Sequence, residues 1–122
     1  MKKIAIVVGL AATLFAGAAQ AMTVQAFLDS AARIPRNPTA LLRSDTRRLM
    51  DEVKGSMASL RTEQTATRAA GRTPASCMPE RVRMSPDEIL QRFNSIPADR
   101  RRTMQVSQAM REWMAERYPC SA

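Results

Sequence analysis

Apolar residues in this chain follow two different patterns. The first is nearly unbroken: after Lys2 and Lys3, residues 4–19 are almost wholly apolar or small and lead into Ala19-Gln20-Ala21. A basic start, a short apolar run and an Ala-x-Ala ending read together as a cleavable secretory signal. The run is also shorter than the roughly 20 residues a membrane-spanning helix needs, which argues against an uncleaved anchor. We therefore expect residues 1–21 to be removed and the working protein to be residues 22–122, delivered to the periplasm with no membrane span. The lysine pair contains no twin arginine and no Cys follows the cleavage point, so the general secretory route without a lipid anchor is expected.

In the second pattern apolar residues recur at helical spacing, with no sustained alternation that would indicate a strand. Thr23 is placed to cap a first helix in which Val24, Phe27, Leu28 and Ala31 fall at i, i+3, i+4 and i+7, before Pro35 and Pro38 stop it. Leu42, Leu49, Met50, Val53, Met57 and Leu60 then share one face of a longer helix predicted over residues 41–70, with Gly71 at its end and Pro74 beyond. Residues 61–70 carry no large apolar side chain, so this end is expected to project into solvent, fray, or wait for a partner. After a proline-containing loop over residues 72–79, Ser85-Pro86-Asp87-Glu88 supplies an N-cap, a first-turn proline and an N3 carboxylate for a helix bearing Ile89, Leu90 and Phe93. Beyond Pro97, Val106, Ala109, Met110 and Trp113 mark a last helix ending near Tyr118-Pro119-Cys120. The pattern predicts an all-α fold, a small single-domain bundle of four to five helices without internal repeats.

Export changes how Cys77 and Cys120 are read, because both lie in the mature part and would meet an oxidising compartment that favours a disulfide. A bridge across their separation of 43 would contribute about 4 kcal/mol through loop closure and tie the end of the last helix to the start of the one before it. A reactive thiol or a metal site are the alternatives, but a chain with no His and two Cys lacks the ligands for a closed zinc site.

Charge narrows the choice of partner. Lys and Arg number 19 against 11 Asp and Glu, and the balance stays basic when Lys2 and Lys3 leave with the signal. Such a surface can attract nucleic acid, anionic lipid or an acidic protein, and export makes nucleic acid the least expected. Lys54 is the only lysine left in the mature part, and arginine's planar fork suits carboxylate pairing at interfaces, although coding bias would give the same composition. Arg100, Arg101 and Arg102 point in different directions on a helix, so no single intrahelical pair absorbs them; they are candidates for an acidic rim on a partner, with a solvated charge run as the plain alternative.

Chemistry is mostly excluded. Without His, and with both Cys expected to be bonded, there is no Ser–His or Cys–His nucleophile. Asp87 and Glu88 are explained by capping, and Glu112 with Glu116 by a solvated face interleaved with Arg111 and Arg117. The only mature glycines are Gly55 and Gly71, so no phosphate-cradling loop is present. Neither an enzyme nor a bound cofactor is expected. Methionine is abundant at nine residues, and thioethers can hold Cu(I), with Met110 and Met114 one turn apart. Gap filling between helices is the better account of Met50, Met57 and Met110, which share their helical faces with Leu, Val and Trp. That leaves Met104 and Met114 as the expected exposed pair, for a soft ligand set or an adaptable partner surface.

Cys77-Met78-Pro79, a short spacer, an amphipathic helix ending near Ile96-Pro97, a second helix and the closing Tyr118-Pro119-Cys120 resemble the Rap/Tai-type immunity proteins of type VI secretion systems. In that family a Cys-x-Pro start and an aromatic-Pro-Cys end frame a helical pair, and residues 22–28 also look like its first helix. The long helix departs from the family in lacking a Cys and a Tyr-x-x-Gly pattern. The resemblance implies an exported helical protein, often a homodimer, that binds and blocks a cell-wall-degrading effector, typically a peptidoglycan amidase, by stoichiometric occlusion. A periplasmic structural adaptor of an envelope complex and a Met-based copper carrier are the alternative functions.

Overall fold

The computed structural model describes residues 21–121, so the predicted export signal lies outside the described residues except for Ala21. Five α-helices follow one another: α1 (Val24–Ala32), α2 (Ser44–Ala69), α3 (Pro86–Asn94), α4 (Ala98–Thr103) and α5 (Val106–Arg117). A 3-10 turn over Pro38–Leu42 precedes α2, and no strand forms among the described residues. The all-α bundle expected from the periodicity is what the chain adopts.

Local signals explain most of the boundaries. The Thr23 hydroxyl accepts from the Ala26 N–H, 3.1 Å away, and the Ser85 hydroxyl accepts from the Glu88 N–H at 3.2 Å, so both predicted caps are made. At the far end of α2, Gly71 takes φ +73, and the Gly71 and Arg72 N–H groups donate to the carbonyls of Arg68 and Thr67. That is the paired-bond left-handed stop for which glycine is suited.

The long helix starts later than its pattern suggests. Asn37 caps the 3-10 turn, and Arg43 is extended (φ −79, ψ 139), which uncouples the turn from the helical register that follows. Leu42 is consequently 80 % exposed and Met50 46 % exposed, correcting their assignment to the core stripe. Leu49, Val53 and Leu60 of that stripe are buried.

The last helix, α5, forms where Val106 to Trp113 mark it, and the short α4 carrying Arg100, Arg101 and Arg102 precedes it. Between α4 and α5 the backbone opens at Met104 and Gln105, where it receives the start of the mature chain in one isolated antiparallel bridge. Val24 N–H donates to the Met104 carbonyl and Val106 N–H to the Met22 carbonyl, each at 2.9 Å. These bonds seat α1 at the centre of the bundle, where it touches every other helix, while α2 packs lengthwise on α5. Phe27 of α1 meets Phe93 of α3 edge to face, ring centroids 5.1 Å apart, at the middle of a core completed by Val24, Val106, Met110 and Met114.

The disulfide Cys77–Cys120 is formed, with Cα atoms 4.9 Å apart. Beside it the Cys77 N–H donates to the Tyr118 carbonyl at 2.8 Å, so the segment before α3 and the segment after α5 run together.

Candidate protein-binding face

The expected site residues fall on α4, α5 and the disulfide, and the structure sorts them into three environments. Arg100 reaches from α4 to Glu112 of α5 at 3.1 Å. Arg101 is half-buried, its guanidinium donating to the Asn94 side-chain oxygen at 3.3 Å, so it serves the α3–α4 packing more than a surface. Arg102 is exposed and has no ion pair or side-chain hydrogen bond among the described residues. Of the three consecutive arginines, one is free to meet a partner outright and one can do so by exchanging its carboxylate.

Met104 and Met114 are not exposed. Met104 is 4 % and Met114 0 % accessible, and both belong to the apolar core, so the expected thioether surface is corrected. The bridge at Met104 turns that residue inward, and Met114 continues the i, i+4 line of Val106 and Met110 into the space between α1, α2 and α5. Trp113, read as a core residue of that line, sits at its edge and is half-buried. Among the described residues no group of three His, Cys, Asp or Glu side chains could hold a metal ion.

Around Trp113 the surface is shaped. Glu88, Gln91, Arg92 and Ser95 of the α3 region line an open cleft of about 290 Å³ with the indole as its apolar wall. Arg92 donates to Glu116 at 2.6 Å, and this hydrogen bond, with the adjoining positive charge, holds the Glu116 carboxyl below its ordinary range. Glu112 and Glu116, read from the sequence as part of a solvated face interleaved with Arg111 and Arg117, each hold an arginine from another element. Arg111 instead reaches α2, meeting Glu63 at 2.6 Å. The cleft thus sets Trp113 beside Arg92, two residue types that dominate protein-binding surfaces, while Arg100 and Arg102 stand on α4.

No family model matches the chain, and no curated protein or solved structure does. The case for any function therefore rests on its own residues.

Two features of this region were missed in the sequence. The buried Gln64 side chain accepts from the Met78 N–H at 2.8 Å and donates to the Met78 carbonyl at 3.2 Å, clasping the backbone next to the disulfide. Arg61 donates to the Pro79 carbonyl at 3.0 Å. The first half of residues 61–70, expected to project into solvent, is thus docked on the loop carrying Cys77. Its signal was polar: Gln64 continues the i, i+4 line from Leu60, but a hydrophobic stripe does not register an amide that docks by hydrogen bonds.

Proposed function

We propose that the protein is exported and acts as a stoichiometric inhibitor, occluding a cell-wall-degrading effector of the peptidoglycan amidase type. The observation that carries this reading is the unity of the segments behind the family resemblance: Cys77-Met78-Pro79 and Tyr118-Pro119-Cys120 are bonded to each other and close a unit containing α3, α4 and α5. A staple of this kind holds a binding face rigid, so little ordering entropy is lost when a partner docks. Trp113 lies at the surface of that unit, and Arg102, exposed on α4 without a carboxylate partner among the described residues, is the cation that suits an acidic rim. In this reading the protein does no chemistry; it acts by covering the effector.

Capture from periplasmic extract with the oxidised protein, followed by titration into the captured partner's cell-wall hydrolysis, tests the proposal. Activity should fall to zero at a fixed molar ratio. A captured partner without hydrolytic activity would replace inhibition with the structural adaptor role.

A further inference from the structure

The tip formed by the 3-10 turn and the start of α2 takes no part in the face around Trp113. Leu41 and Leu42 are adjacent there and 72 % and 80 % exposed, and the turn Pro38–Leu42 buries none of its residues. Adjacent leucines exposed to this degree on a projecting turn are held out of the core at a cost in hydrophobic stabilisation. The sequence assigned Leu42 to the core, and neither the core nor the binding face explains it.

The charge around the leucines is one-sided. Exposed Arg36, Arg43, Arg47 and Arg48 accompany the leucines, and the one carboxylate among residues 36–48, Asp45, pairs with Arg43 at 3.5 Å; Asp51 and Glu52 follow farther along α2. Along α2, Arg47, Met50 and Lys54 fall at i, i+3 and i+7, so one flank carries a cation on either side of an exposed methionine, with the carboxylate of Asp51 next to it. Arg47, Arg48 and Lys54 have no ion pair among the described residues.

We propose that this tip binds the surface of an anionic phospholipid bilayer, with Leu41, Leu42 and Met50 entering the headgroup boundary and the arginines meeting lipid phosphates. Exposure and charge favour a bilayer over a protein: the leucines stand open on a short turn that buries none of its residues, and unpaired Arg47 and Arg48 beside them suit a diffuse negative surface that demands no matching contour. Apolar insertion and electrostatic attraction reinforce each other in such binding, and each cation near the surface adds about fivefold in affinity at moderate salt. The proposal is independent of the inhibitor reading, since the tip and the Trp113 face share no residue.

Vesicle co-sedimentation of the exported, oxidised protein tests it, comparing phosphatidylcholine vesicles with vesicles containing about one third phosphatidylglycerol. Binding to the anionic vesicles should exceed binding to the neutral ones by at least about tenfold and weaken as salt rises. The double variant Leu41→Ser, Leu42→Ser and the double variant Arg47→Glu, Arg48→Glu should each lose about tenfold or more of that binding with unchanged thermal midpoints, because none of the four side chains is buried. Equal binding to both vesicle types, or full binding by the leucine variant, would overturn the proposal. So would vesicle binding unaffected by the leucine variant while capture of a periplasmic protein is lost, which would assign the tip to a protein partner.

Discussion

Gln64 holds Met78 by both backbone groups in a buried setting, so replacing its amide removes two hydrogen bonds and leaves a buried N–H and C=O without partners. Gln64→Leu should therefore destabilise the protein by about 1–3 kcal/mol in urea unfolding, more than Thr65→Ala on the exposed side of the same helix. Equal midpoints for the two variants would show that the clasp contributes nothing. Glu116 offers a second test at this scale. Its carboxyl is held below the ordinary glutamate range by the hydrogen bond from Arg92 and then by that residue's charge. The folded-state pKa is depressed, so the pair's contribution is present above the ordinary carboxylate range and is lost as pH falls through the lowered value. Because Glu116 is exposed, the expected readout is a titration shift and not a large change in stability. A carboxyl carbon titration by NMR should place Glu116 below the ordinary value, and Arg92→Ala should bring it back; identical curves in the two proteins would remove the pair from solution. Individual residues were unevenly legible in the sequence. Thr23 and Ser85 could be read because capping is local chemistry, whereas the partners of Glu112 and Glu116 could not, since they lie on other elements brought close only by the fold.

At the scale of elements, periodicity identifies helices well where one face is buried and poorly where tertiary bonds interrupt it. The last helix is marked in the sequence by Val106, Ala109, Met110 and Trp113, but the short helix α4 before it has no apolar stripe to announce it, and the gap at Met104-Gln105 between them is held by backbone bonds from residues 22–24. The polar stretch of α2 misleads in the opposite direction, since its docking is carried by Gln64, Arg61 and Glu63. Amide exchange distinguishes the two views of that stretch. Protection comparable to that at Leu49 and Val53 should continue through Gln64 and decline only toward the exposed stop at Gly71 and Arg72. Rapid exchange beginning at Arg61 would restore the projecting helix and remove the clasp.

The whole molecule depends on one covalent closure more than on any single element. The roughly 100 described residues can bury only a modest core, so the about 4 kcal/mol expected from closing the Cys77–Cys120 loop is a large part of the total. Reduction should lower the thermal midpoint by at least about 15 °C. Two free thiols in protein purified after export, or an unchanged midpoint on reduction, would end that expectation. The same rigidity bears on how a partner would be captured, and here the structure separates three arginines that the sequence grouped. Arg101 belongs to the packing against Asn94, and Arg100 already has Glu112, so Arg102 is the cation that can act on an approaching acidic rim without first giving up a contact. Charges at an interface rim act mainly on association rate and lose effect as salt screens them. Arg102→Glu should therefore slow capture of the effector severalfold at low salt, with little change in release and no change in folding. Arg100→Glu should slow it too and also lose the Glu112 pair, a surface interaction of about 0–1 kcal/mol. Arg101→Glu is the contrasting variant, expected to disturb the α3–α4 packing and lower stability. Stopped-flow association with a partner already shown to bind the unmodified protein decides among them; if Arg102→Glu associates at the unmodified rate in low salt, the partner does not approach over α4, and the Trp113 cleft alone remains as the contact.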